Sequence, residues 1–247
     1  MPTRLTASNR VGIEEIYVDT VSLLDTTPDY FEISTQPTGA ANGKVFTLSL
    51  WFKRANAPTS NEVLFAVQGR HLVTLKNVGD NLSIEFESEA NADVILADTS
   101  TQFSDTNWHH LLVSCDVSDT AKRHAYIDGV EETMTWTTYD NTEIDWTRAS
   151  YSIGSETGGA TPYGGCMSEF YLALEYIDLS AASNLAKFIN ASGKPVDLGS
   201  DGSTPTGNAP LFYLNKAGAA FGTDQSGNSN DLTAGGAPTV CSTSPSD

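Results

Sequence analysis

The chain has 247 residues, 39% of them hydrophobic, which is enough apolar material for one large β-domain and too much for a disordered chain. Thirteen basic residues face 31 acidic ones, a formal net charge of −18, so phosphate backbones and anionic lipid surfaces are poor partners unless a local basic patch exists. No apolar run reaches the ~20 residues that span a bilayer, and the first residues, MPTRLTASNRVGIEE, carry no apolar signal-peptide core; neither membrane insertion nor Sec-type export is expected.

Residues 1–28 form a lead-in with an apolar set, Ile16, Val18, Val21 and Leu23, that stands apart from the patterns that follow. Exposed apolar segments dock on something in water, so these residues are expected to form an N-terminal arm or docking strand against a neighbouring subunit or the surface of a larger particle. From residue 29 onward period-two strands dominate. Phe46, Leu48, Leu50 and Phe52 alternate with Thr47, Ser49, Trp51 and Lys53, and Leu82, Ile84 and Phe86 alternate with polar residues. Further strands are read at 63–67, 72–76, 108–115, 124–127, 151–154, 166–174 and 211–214. Asp128-Gly129 suits the positive φ angles of a two-residue hairpin. One short helix is expected at 181–190, capped by Ser180. Many strands with short polar breaks point to an all-β sandwich. The three cysteines have no metal-ligand spacing; Cys115 and Cys166 are read as small buried hydrophobes in preference to disulfide partners.

Several stretches carry a resemblance. WHHLLVSCDVSDTAKRHAYIDGV (108–130) resembles the WHHVAVTYD…LYVDG pattern of laminin-G-like and pentraxin-like domains. Residues 29–54, Ile153-Gly154 and 165–172 look like further strands of that family, and 194–239 are similar to the ending of phage-encoded laminin-G-like proteins. The resemblance covers roughly residues 29–240 and implies a concanavalin A-like jelly-roll β-sandwich with one short helix. It further implies a bacteriophage virion component (capsid decoration, tail or fibre) whose partners are other virion proteins. Relatives commonly form homo-oligomers, with a trimer favoured. The alternative is a carbohydrate-binding, lectin-like module recognising a host surface glycan, assisted by calcium.

No complete catalytic set is present. Glu143-Ile144-Asp145-Trp146 resembles the ExDxxE strand of endoglucanases, but Thr147 and Arg148 stand where the second glutamate belongs, and one carboxylate cannot run the two-carboxylate mechanism. The chain is therefore expected not to be an enzyme. Glu85, Glu87 and Glu89 share a strand face and read as a solvated face opposite Leu82, Ile84 and Phe86. His109 and His110 point to opposite faces and cannot chelate together. Calcium candidates are Asp224, Asn228 and Asp231, in a loop rich in oxygen ligands. Of four tryptophans, Trp136 and Trp146 flank a polar loop and are the candidates for stacking on a sugar, whereas Trp51 and Trp108 are read as core or rim.

Overall fold

The computed structural model describes residues 18–24, 27–56 and 60–247. Two antiparallel sheets pack face to face. One contains β1 (Val21–Leu23), β3 (Val45–Arg54), β8 (His109–Asp116), β9 (Arg123–Ile127), β10 (Val130–Glu131), β13 (Gly165–Ala173) and β14 (Phe212–Leu214). Its order is β1-β13-β3-β8-β9-β10, with β14 also paired to β13. The other contains β2 (Tyr30–Ile33), β4 (Glu62–Val67), β5 (His71–Leu75), β6 (Asn81–Glu87), β7 (Asp93–Gln102), β11 (Met134–Tyr139), β12 (Tyr151–Ile153) and β15 (Thr233–Gly235), in the order β11-β7-β6-β5-β4-β12-β2-β15.

The alternation in the sequence decides which side chains meet between the sheets. Phe46, Leu48, Leu50 and Phe52 of β3 face Phe65, Val73, Leu82 and Phe86 in one continuous core. Thr47, Ser49, Trp51 and Lys53 consequently point away from it. The Asp128-Gly129 hairpin forms as expected: both residues have positive φ, 52° and 78°, and Ile127 pairs with Val130. Asp128 also holds the two histidines before it. Its Oδ1 accepts the His110 amide at 2.7 Å and its Oδ2 lies 2.8 Å from His109 Nδ1.

The outer face of the seven-stranded sheet carries a second apolar layer. Leu112, Tyr126 and Tyr171 are covered there by Ile177, Leu179, Phe188 and Leu198. The helix within this cover is shorter than expected, α1 (Ala182–Leu185). Ser180 does not cap it, because its hydroxyl donates to Asp178 Oδ1 at 2.6 Å.

The lead-in expectation is corrected. β1 pairs antiparallel with β13, Val21 opposite Met167 and Leu23 opposite Gly165, while Ser22 bridges to Thr239. Val18, Val21 and Leu23 are buried within their own sandwich, not presented to a neighbour. The physical reason is that β13 would otherwise expose a row of unpaired backbone groups above apolar side chains. Gly154 makes the packing possible: its φ is +83°, and a Cβ there would come within 2.4 Å of Leu23 Cδ1. Ile16 lies outside the described residues.

The cysteine expectation is half corrected. Cys115 is a free thiol, and burial pushes its pKa up to about 12, so it is chemically inert. Cys166, however, is bonded to Cys241 across 75 residues, with a Cα–Cα separation of 6.0 Å. The Ser22–Thr239 bridge brings Cys241 to β13, a proximity that spacing along the chain cannot reveal.

Glu169 sits at a bulge in β13 with a φ of +49° and is 5% exposed. Burial pushes its carboxyl up to about 8, against the hydrogen bond that it accepts from the Tyr213 hydroxyl at 2.9 Å. The folded chain therefore keeps a proton that the unfolded chain releases near pH 4.5. Stability from this group is complete below that pH and is lost as pH rises towards 8. Glu169→Gln should raise stability by about 3 kcal/mol at pH 7 and by almost nothing at pH 4, measured as urea midpoints at the two pH values. An equal gain at both pH values would show that the proton is not the cause.

Candidate functional site

The segment with the endoglucanase-like carboxylates is a structural plug. Ile144 exchanges backbone hydrogen bonds with Gly43 at 2.8 and 3.2 Å. Trp146 is fully buried against Phe46, Phe86 and His71, with ring centroids 5.2–5.7 Å apart, so it cannot stack on a ligand. Asp145 is spent locally: Oδ1 accepts from the Thr147 amide and hydroxyl at 3.0 and 2.8 Å, and Oδ2 lies 3.2 Å from Arg148 Nε. His71 locks the plug in place, Nδ1 accepting the Glu87 amide at 2.9 Å and Nε2 donating to the Asp145 carbonyl at 2.6 Å. Burial pulls its pKa down to about 4, so it is neutral. Glu143 is exposed and stands apart from this network.

Of the calcium candidates, the buried Asp224 is fully committed to the protein. Asp224 accepts four hydrogen bonds, from the Tyr213, Ser226 and Asn230 amides at 3.0–3.1 Å and from the Ser226 hydroxyl at 2.6 Å. Asp231 Oδ1 accepts the Asp224 amide at 2.9 Å, and Asn228 donates its side chain to the Pro210 carbonyl. A carboxylate whose lone pairs are already committed to backbone donors has none to offer a metal. The loop is a self-satisfied turn that clips β14 to the C-terminal stretch. The acidic strand face is real but differently composed: Glu85, Glu87 and Asp93 place carboxylate oxygens within 4.8 Å of one another, while Glu89 is exposed and lies outside the group. Arg70 and Arg148 approach Glu87 to 3.7 and 3.8 Å and neutralise part of that charge.

Trp136 is half-buried, with the Arg123 guanidinium 5.2 Å from its ring centroid and Tyr139 edge-on at 5.3 Å. The aromatic groove lies instead at the two tryptophans read as core or rim. Trp51 and Trp108 line a depression of about 320 Å³ together with Lys53, Lys194, Thr243 and Asp247. Trp51 points outward from β3 and is held by His110 from the neighbouring β8, with the rings stacked at 4.5 Å and 18°. His110 is in turn fixed by Ser49 at 2.8 Å, and full burial pulls its pKa down to about 3, so the stack is neutral. The Thr243 hydroxyl oxygen accepts from Trp108 Nε1 at 3.2 Å and from Lys53 Nζ at 3.0 Å. Trp51 is only 3% exposed and shows the groove an edge, so the ring free to stack on a sugar is the half-buried Trp108, with a hydroxyl and two ammonium groups beside it to hydrogen-bond the sugar's hydroxyls. Sequence reasoning had the alternation that turns Trp51 and Lys53 outward; it had no signal for Lys194 and Thr243.

The sequence profile of the Concanavalin A-like lectin/glucanases superfamily, in its laminin-G form, matches residues 25–173. The chain belongs to this superfamily. As a member, it has the expected jelly-roll arrangement of two antiparallel sheets. Among solved structures of the same fold is a putative carbohydrate binding protein from Bacteroides ovatus, 16% identical, with a TM-score of 0.64. The match covers 93% of this chain and 62% of that one, so this chain spans less than two thirds of its length. A native heptameric SAP-like pentraxin from Limulus polyphemus is 11% identical with a TM-score of 0.57, over 93% of this chain and 96% of that one. No curated protein matches the chain.

Proposed function

We propose that the chain is a non-catalytic, lectin-like module that holds a glycan in the Trp51–Trp108 groove. The observation that carries this reading is the groove itself, where two indoles and a fixed hydroxyl line one depression. The carbohydrate-binding description of the Bacteroides ovatus protein supports it. Binding rather than hydrolysis is favoured because Asp145 is engaged by Thr147 and Arg148, and Glu143 has no carboxylate partner in that segment.

The proposed setting is a bacteriophage particle, with the module acting as a decorating or adhesive component bound to other virion proteins as a homo-oligomer. The order of the motifs through residues 194–239 supports that placement. The Cys166–Cys241 bridge also suits a protein that works outside a reducing cytoplasm. Counting copies of the chain in purified particles tests the setting, since hundreds imply decoration and a few imply the tail.

Glycan-array binding tests the site. Trp108→Ala should weaken binding by about five- to tenfold, because a stacked ring contributes about 1 kcal/mol and its Nε1 helps to position Thr243. Trp136→Ala should leave binding unchanged, and EDTA should have no effect, since the Asp224 loop commits its oxygens to the backbone. Loss of binding in EDTA, or equal loss in the two tryptophan variants, would move the site elsewhere.

A further inference from the structure

The groove differs in charge from the rest of the molecule. The chain carries 31 acidic and only 13 basic residues, yet two lysines, Lys53 and Lys194, line this one depression. Among the described residues, neither has a carboxylate within 4.0 Å, whereas Lys76 and Lys122 are each paired with an aspartate at 2.8 and 3.0 Å. Lys53 is half-buried and is aimed by Thr243, to which it donates at 3.0 Å. The lining also holds Asp247, whose carboxylate accepts the Ser244 amide at 2.7 Å, so its side chains carry two positive charges against one negative. An ammonium held in a depression with no carboxylate in direct contact attracts an anion, and the attraction is felt more strongly there than in open water.

We infer that the groove selects sugars that carry a carboxylate, the ring lying against Trp108 and the charged group facing Lys53 and Lys194. This inference rests on the sugar-binding reading of the same groove and adds its chemical selectivity. The acidic remainder of the surface sharpens it: an acidic polysaccharide is repelled by most of the molecule, so productive contact concentrates at this lysine-lined depression.

The test uses the full chain and two probes, tri-galacturonate and sialyllactose, each titrated beside its carboxyl methyl ester. At least one free acid should bind about tenfold more tightly than its ester, and the difference should shrink as salt is raised from low to high concentration. The double variant Lys53→Met/Lys194→Met should lose that preference, acid and ester then binding with the same affinity. Equal affinity for acid and ester, or an unchanged preference in the double variant, overturns the selectivity and leaves the sugar-binding reading standing. If neither acid nor ester binds, and a broad array of neutral glycans also gives no signal, both readings fall. Should the double variant not fold, the acid–ester comparison and its salt dependence in the unaltered protein still decide the matter.

Discussion

Deleting residues 1–24 is expected to unfold the domain or leave it on the edge of unfolding. Val18, Val21 and Leu23 are all within 4% of full burial, and each apolar side chain of this size contributes roughly 1.5–3 kcal/mol by leaving water. Their loss alone is comparable to the 5–15 kcal/mol that holds a typical domain together. The deletion also strips β13 of one of its three partner strands and removes the backbone bridge from Ser22 to Thr239. A milder version, Val21→Ala/Leu23→Ala, should lower stability by about 4–8 kcal/mol in urea titration, because two buried aliphatic side chains leave cavities against Met167 and Gly154. A truncated chain that keeps the full-length urea midpoint, and loses only its association with other copies, would show that the segment serves assembly after all.

That outcome turns on a point where the sequence misleads for an identifiable reason. Strands whose partners follow closely, such as β8, β9 and β10 around Asp128-Gly129, are legible because alternation and turn chemistry are local. β1 pairs with a strand more than 140 residues away, so its apolar pattern appears orphaned until the fold is known. Trp146 misleads in the opposite way. It follows a polar loop in sequence, yet His71 and the Gly43–Ile144 exchange draw it into the centre of the core. Polar neighbours along the chain say little about burial when the backbone turns inward.

The calcium loop teaches a related lesson about composition. Asp224, Ser226, Asn228, Asn230 and Asp231 are the residues of an oxygen-rich cation loop and equally those of a turn that satisfies its own backbone. Composition cannot separate the two; the direction of the oxygens does, and here they accept amide protons. The groove was hidden differently. Trp51 and Lys53 are turned outward by strand alternation, and Trp51 is nonetheless 3% exposed, in keeping with the core or rim role read from its strand, because the 174–210 stretch packs on the outer face of this sheet. Only where that cover ends, beside Gly193 and Lys194, does the face open.

Opening the Cys166–Cys241 bridge is expected to weaken both the fold and the groove. A cross-link over 75 residues restricts the unfolded chain by about 4 kcal/mol in the loop-entropy account, which for a domain of this size corresponds to roughly 10 °C in Tm. The functional consequence follows from what the bridge anchors. Thr243 lies two residues beyond Cys241, and its hydroxyl is the common acceptor for Trp108 Nε1 and Lys53 Nζ. Ser244, next along, donates to the Val18 carbonyl at 3.0 Å and ties the same stretch to the lead-in. With the tether cut, these hydrogen bonds must fix the last residues unaided, and a groove wall ordered by so few contacts should fray. The measurement is a Tm in the presence and absence of reductant, together with glycan affinity at a temperature well below the lower Tm, repeated with Cys166→Ala/Cys241→Ala. A fall in affinity of about tenfold in a sandwich that is still folded would tie the bridge to the site, in keeping with the loss of one or two positioned hydrogen bonds. If Tm falls while affinity holds, the bridge stabilises the domain without shaping the groove, and Thr243 is positioned by its hydrogen bonds alone.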